Sequence, residues 1–206
     1  MPHHPAPSTA RLLIVPGLHD SGPAHWQTWL HALHPGSVRV MQDDWLTPDV
    51  TAWSARIEQT LAQAGPGPWV VAAHSFGCLA LAHLLGQRDG ATLAGGRATL
   101  QAALLVAPAE PGKFGIVGAM PAHALPLTTT LIASETDPWM RLDSARRWAI
   151  RWGSRLHNLG DAGHVNAESG YGPWPLARRW VQSVQQRQAR EQRPVRADLR
   201  EWSFAS

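Results

Sequence analysis

Short apolar runs alternate along the chain with longer segments whose apolar residues recur at helical spacing. Five of the runs are continuous rather than alternating, which is typical of strands buried on both faces of a parallel sheet. They are Leu12–Val15, Val38–Met41, Trp69–Ala73, Leu104–Ala107 and Thr130–Ala133, and a weaker sixth run follows at Arg155–Leu159. The pattern therefore predicts a mostly parallel sheet of about six strands.

Several segments between the runs have the periodicity of amphipathic helices. For example, Trp53, Ile57 and Leu61 recur at i, i+4 and i+8, which places them on one helix face. The predicted helices are Trp26–His34, Thr51–Ala64, Phe76–Arg88, Leu142–Trp152 and Leu176–Arg190. Alternating strands and helices favour right-handed βαβ units, and hence one doubly wound α/β domain with helices on both faces.

Length and composition fit a single domain without a membrane span. The 206 residues are 44% hydrophobic, which is enough for one sizeable core. No apolar run approaches the roughly eighteen residues of a membrane span, and the N-terminal MPHHPAPSTA lacks the features of a secretory signal. Cys78 is the only cysteine, which excludes an internal disulfide and a cysteine-rich zinc site. We therefore expect a soluble cytoplasmic protein.

Both ends of the chain and one internal segment depart from this pattern. The domain is expected to span residues 11–190, between a disordered segment at 1–10 and a basic tail at 191–206. An arginine-rich tail can bind nucleic acid. The net charge is only +3 and the body has no basic stripe, so neither a nucleic-acid nor a membrane partner is predicted. Residues 109–128, rich in Pro and Gly, form either a small lid or a mere connection.

The sharpest local signal is an apolar strand that runs through Ala73 into His74-Ser75-Phe76-Gly77 and directly into a helix. This arrangement matches the nucleophile elbow, usually written G-x-S-x-G, with Ala73 in place of the first glycine. Because the nucleophile occupies a strained turn, the residues two before and two after it must be small. Ala73 adds only one methyl group, so Ser75 is predicted to be a nucleophile. The less favoured alternative is a serine that merely caps a helix.

Asp137 and His164 are the predicted partners of Ser75. A serine needs a base to take its proton, and the base needs an orienting acid. In α/β sheets with such an elbow, the chain order is serine, acid, histidine. Asp137 follows the run Thr130–Ala133, and His164 follows the weak sixth run. Both therefore fall beyond the carboxyl ends of strands, where open α/β sheets place their sites.

Other acids and histidines are possible alternatives. Glu135 precedes Asp137 by two residues and could substitute for it. Asp161 lies three residues before His164 on the same loop and would have to fold back to reach its ring. Roles outside the chemistry are expected for the remaining candidates, which are His74, Asp143 and His157.

Two backbone N–H groups are expected to hold the oxyanion that forms on attack at a carbonyl. One normally belongs to the residue after the nucleophile, which is Phe76. The other is expected from the loop after the first strand, where Leu18 is preferred and His19 is the alternative. No metal or organic cofactor is predicted for this chemistry.

Eleven tryptophans are many for this length. An aromatic-walled pocket for a small apolar group is one hypothesis, and structural packing of the same rings is at least as well supported. The residues assigned to substrate binding are His19, Trp26, Trp45, Trp139 and Trp174.

Longer motifs identify a family. They are Val15–Trp29, Gln42–Trp45, Ala73–Gly77, Val106–Pro108, Asp137–Pro138 and Gly163–Trp174. On these residues the chain resembles the small serine hydrolase family of the α/β-hydrolase superfamily, which includes retinoblastoma-binding protein 9 and its bacterial relatives. The resemblance implies a compact core with little or no cap and the triad Ser75, Asp137 and His164. It also implies hydrolysis of esters or related acyl compounds of small molecules.

The same resemblance suggests a rival function, a protein-interaction module whose triad is vestigial. The binding signature of the animal relative, Leu-x-Cys-x-Glu, is absent, because Phe76 and Ala80 flank Cys78 at the relevant positions. The intact elbow, acid and histidine favour an enzyme. In the predicted reaction His164 takes the proton of Ser75 as it attacks, and water later releases the acyl group.

Overall fold

Seven strands form one sheet in the computed structural model, which describes residues 9–191. They are β1 (Arg11–Val15), β2 (Val38–Arg39), β3 (Gly67–His74), β4 (Thr92–Leu93), β5 (Ala98–Val106), β6 (Thr128–Ala133) and β7 (Arg155–Asn158). The order is β2-β1-β3-β5-β6-β7 with parallel neighbours, and β4 pairs antiparallel with β5. The predicted fold class is confirmed, and the strand beyond the expected six is β4, which is too short to show as an apolar run.

Within residues 9–191 there are five α-helices, four between strands and one after the last strand. They are α1 (Trp26–Ala32), α2 (Val50–Ala64), α3 (Phe76–Gly86), α4 (Leu142–Trp152) and α5 (Pro175–Glu191). All five predicted helices are therefore present, with ends that differ by a few residues. A local capping signal sets the start of α2, where the Asp49 side chain accepts the N–H groups of Thr51 and Ala52, both at 3.0 Å.

The apolar residues of the strands form two layers, one on each face of the sheet. In β1, Leu13 and Val15 belong to the layer that includes residues of α2, α3 and α4, whereas Leu12 and Ile14 belong to the layer that includes residues of α1 and α5. This double burial explains the continuous apolar runs. Cys78 of α3 belongs to the first of these layers, and its thiol is fully buried.

The segment 109–128 is an ordered connection between β5 and β6. It contains two short 3-10 turns, Pro111–Phe114 and Val117–Ala119, and buries the side chains of Met120 and Leu125. No helix within residues 9–191 is long and apolar enough to cross a membrane.

The predicted terminal segments fall mainly on residues 1–8 and 192–206, which lie outside the described part of the chain. Ala10, assigned to the N-terminal segment, is 1% exposed. Its N–H donates to Gln188 at 3.0 Å and its carbonyl accepts from Gln185 at 2.7 Å, so this end of the domain packs on α5.

Candidate active site

Ser75 occupies a strained turn between β3 and α3. Its φ of 51° and ψ of −124° are unusual for a residue other than glycine, and the turn projects the side chain above the sheet. A Cβ on Gly77 would lie 2.2 Å from the carbonyl oxygen of Pro16, so no larger residue fits there. Ala73 is fully buried in β3, beside Val15 of β1, and its methyl group is part of the core.

The side chains of Ser75, His164 and Asp137 form one hydrogen-bonded chain. The Ser75 Oγ lies 2.9 Å from His164 Nε2, and His164 Nδ1 lies 2.9 and 3.1 Å from the two carboxylate oxygens of Asp137. Asp137 Oδ1 also accepts the Trp139 N–H at 2.8 Å, which fixes the carboxylate. Both Asp137 and His164 are buried. The arrangement can move a proton from the hydroxyl to the imidazole and stabilise the resulting imidazolium.

The alternative acids are engaged elsewhere. Asp161 accepts from the Thr136 hydroxyl at 2.7 Å, and Glu135 accepts from the Asn158 side chain at 2.8 Å. The other two residues considered for the triad also lie apart from Ser75. Asp143 pairs with Arg146 on the surface of α4, and His157 is exposed on β7.

The two residues expected to donate backbone N–H groups to the oxyanion, Phe76 and Leu18, both lie near Ser75. The N–H of Phe76 is the first of α3, and such a group has no carbonyl one turn earlier in its helix to bind. Leu18 lies in the loop that follows β1 and lines the same cavity as Ser75. The N–H of His19 instead donates to the Trp45 carbonyl at 2.9 Å. This bond favours Leu18 over His19 as the second donor, and the choice stays a prediction.

The triad opens into a cavity of about 420 Å³. The loop after β1 contributes Leu18 and His19 to its lining. Phe114 and Trp139 form another part of the wall, and their rings are nearly parallel with centres 6.4 Å apart. His19 and Trp139, both assigned to substrate binding, therefore line the cavity that contains Ser75, and their role there stays a prediction.

The other three residues assigned to substrate binding do not line the cavity. Trp26 is fully buried, and its indole N–H donates to the Val165 carbonyl at 3.0 Å. Trp174 packs edge-on against Trp26, and Trp45 packs edge-on against Trp53. These rings pack in the loops and the core, so the structure gives no support to a substrate-binding role for Trp26, Trp45 and Trp174.

Phe114 and His25 are among the cavity residues that sequence reasoning missed. Phe114 lies in the segment 109–128, where a single aromatic residue gives no signal of its own. His25 caps α1 by accepting the Gln27 N–H at Nδ1, and it also lines the cavity. Burial, followed by the charges of Arg39 and His164, lowers the pKa of His25 from 6.5 to about 4.

A larger cavity, of about 600 Å³, lies between α5 and strands β5, β6 and β7. None of the triad residues lines it, so the convergence of reactive groups, rather than size, identifies the candidate active site. Among residues 9–191, no cluster of three or more His, Cys, Asp or Glu side chains is arranged to hold a metal ion.

The fold and the hydrogen-bonded chain define the class of α/β-hydrolase-fold serine hydrolases. A family model described as serine hydrolase matches residues 12–183, and the chain belongs to that family. The resemblance drawn from the sequence motifs is thereby confirmed at the level of the family, whereas the likeness to retinoblastoma-binding protein 9 stays a prediction. No curated protein matches the chain at a significant level.

Solved structures agree with this assignment. One of them is described as a YdeN-like hydrolase from Pectobacterium atrosepticum, and its sequence is 33% identical to this one. The two structures superpose with a TM-score of 0.79, and the match covers 87% of this chain and 92% of that chain. The ydeN gene product of Bacillus subtilis is 18% identical, with a TM-score of 0.68 over 85% and 98%. A carboxylesterase from Bacillus cereus, 13% identical with a TM-score of 0.53 over 87% and 91%, shares the fold.

Proposed function

We propose that this serine hydrolase cleaves carboxylic esters of small molecules through the triad Ser75, His164 and Asp137. The observation that carries the proposal is the unbroken hydrogen-bonded chain from the Ser75 hydroxyl to the Asp137 carboxylate. A lone serine is a weak nucleophile, and this arrangement is what activates it. Among acyl compounds, esters are easier for such a site to cleave than amides, because an alkoxide leaves more readily than an amide ion.

The reaction has two stages. Ser75 Oγ attacks the ester carbonyl while His164 Nε2 takes its proton, and the N–H groups of Phe76 and Leu18 hold the oxyanion. His164 then returns the proton to the departing alcohol, which leaves an acyl group on Ser75. Water attacks this acyl group with His164 again as base, releasing the acid and the free hydroxyl.

The cavity supports a small substrate with an apolar portion. Its volume is about 420 Å³, and Phe114 and Trp139 form one wall of it. Trp139 is 42% exposed, so this wall opens to solvent and leaves room for groups of different length. A small-molecule acyl substrate in the cytoplasm, rather than a nucleic acid or a membrane, is the partner we propose.

Labelling with a fluorophosphonate probe tests the proposal directly. The wild-type protein should become labelled and should hydrolyse p-nitrophenyl acetate, whereas Ser75→Ala should do neither. Ser183→Ala is the matched control, since Ser183 lies exposed on α5 and bonds only the Trp180 carbonyl of its own helix.

Two outcomes would contradict the proposal. Labelling that persists in Ser75→Ala would assign the nucleophile to another residue. If neither form is labelled and neither hydrolyses the ester, the protein is better described by the rival reading, an interaction module with an inactive triad. A panel of acetate, butyrate and octanoate esters, with matched amides and lactones, then defines the acyl preference.

A further inference from the structure

His74 connects the nucleophile to the backbone of the base. It directly precedes Ser75, is 5% exposed, and its ring centre lies 4.9 Å from that of His164. His74 Nε2 lies 3.0 Å from the backbone carbonyl oxygen of His164. Because a carbonyl can only accept, Nε2 carries the proton and donates it. A side chain of the elbow is thus bonded to the main chain of the residue that carries the base.

The surroundings keep His74 neutral. Burial above all, and then the neighbouring His164 and His25, hold the pKa of His74 well below its ordinary value. A neutral imidazole has a single N–H group, and the His164 carbonyl takes it. The bond is therefore retained while His164 itself gains and loses a proton.

The turn that follows His164 is strained and needs such support. Val165 has a φ of 48°, a left-handed conformation that is a genuine outlier for a β-branched residue. Strain of this kind persists only where the surroundings impose it. Here Trp26 donates to the Val165 carbonyl at 3.0 Å, and the Ser169 hydroxyl accepts the His164 N–H at 3.1 Å.

We propose that His74 is a positioning residue for the base: its N–H holds the His164 carbonyl so that the imidazole stays in line with Ser75. The inference rests on the proposed function. Trp26 and Ser169 fix the loop on either side of the His164 carbonyl, and His74 bonds that carbonyl itself to the strand end that carries the nucleophile. Since misplacement by about 1 Å can cost about 100-fold in rate, this bond bears directly on turnover.

A matched pair of variants isolates the bond. The side-chain amide nitrogen of glutamine reaches about as far as His74 Nε2, whereas that of asparagine ends near the position of Nδ1. We expect His74→Asn to lower kcat for p-nitrophenyl acetate by about 10-fold or more, with KM changed by less than about 2-fold. His74→Gln should stay within about 3-fold of the wild-type kcat, because it restores the donor.

His83→Asn controls for the loss of a buried histidine. His83 lies on α3, bonds Ser54 Oγ at 2.9 Å and does not line the cavity, so its loss should lower Tm without lowering kcat per folded molecule. Circular dichroism gives the folded fraction of every variant.

The proposal is overturned if His74→Asn and His74→Gln have equal kcat, or if the unfolded fraction accounts for the loss in His74→Asn. Ser75→Ala separates this failure from that of the proposed function. Hydrolysis that survives in Ser75→Ala removes both, whereas an inactive Ser75→Ala beside a fully active His74→Asn removes the positioning role alone.

Discussion

Ser75 stands above the sheet because its backbone adopts a conformation that most residues avoid. The strain is accommodated by small neighbours: a Cβ on Gly17 would lie 2.7 Å from that of Ser75, and one on Gly77 would meet the Pro16 carbonyl. The spacing of small residues therefore carried the prediction of the nucleophile. The acid and the base could be predicted as well, because Asp137 and His164 follow strands of the same sheet.

Asp137→Asn tests the orienting role of the acid. The carboxylate holds His164 with its proton on Nδ1, and an amide at this position would favour the wrong tautomer. We expect kcat to fall by about 1,000-fold to 10,000-fold, with the fold and KM little changed. Steady-state kinetics with p-nitrophenyl acetate measure this, and a loss of less than 10-fold would show that another group orients the base.

Side-chain direction was harder to predict than position along the chain. Trp26 and Trp174 lie within motifs next to the site, yet both rings turn into the core, whereas Trp139 faces the cavity. The preference for Leu18 over His19 likewise depends on a tertiary contact, the bond from the His19 N–H to the Trp45 carbonyl. Such contacts join segments far apart in sequence, and no local pattern encodes them.

At the scale of elements, the packing of α3 against the loop after β1 sets the geometry of the site. Nearly every residue of α3 is buried, so its sequence has no polar face and resembles that of a buried strand. Its position directly after the elbow, not its periodicity, made it predictable. The short β4 carries no comparable signal, since two residues cannot display a period.

Gly77→Ala should disturb this packing. The new Cβ would lie 2.2 Å from a backbone oxygen, so α3 and the loop that carries Leu18 must separate. We expect the free energy of unfolding to fall by about 2 kcal/mol or more, together with a loss of activity. Denaturation in urea measures the change. Gly118→Ala is the control, since a Cβ there meets nothing within 4 Å; a similar loss in both variants would contradict the argument.

The segment 109–128 contributes one wall of the cavity through Phe114. Phe114→Ala should raise KM for esters with longer acyl chains several-fold, because it removes apolar contact area, and should change kcat little. Val117→Ala provides the comparison, since Val117 lies on the same segment, is 48% exposed and does not line the cavity. Unchanged KM in Phe114→Ala would mean that the substrate binds against another wall.

At the scale of the whole molecule, buried histidines make stability depend on pH. Burial is the leading cause that lowers the pKa values of His25, His74 and His83 in the folded protein. Such groups stay neutral in the fold but take up protons when the chain unfolds. The stability that these neutral histidines contribute is thus present above their unfolded pKa near 6.5. It is lost as the pH falls toward their pKa in the folded protein, which is about 4 for His25.

His25→Asn should flatten this dependence. Asparagine keeps an acceptor for the Gln27 N–H at the start of α1 but has no titrating ring. Between pH 7 and pH 5 the wild-type protein should lose about 2 kcal/mol more unfolding free energy than the variant. Urea titrations at both pH values give the difference, with the exposed His123→Asn as the comparison. Equal losses in wild type and His25→Asn would show that His25 does not contribute.

The burial of Cys78 has a practical consequence for biophysical work. Burial raises the pKa of this thiol well above its ordinary value, and the chain has no other cysteine, so the native surface offers maleimide reagents no target. A cysteine introduced at an exposed position such as Ile150, which is 82% exposed on α4, would then be the single attachment point for a dye or spin probe. The wild-type sequence is in this respect already a background ready for site-directed spectroscopy.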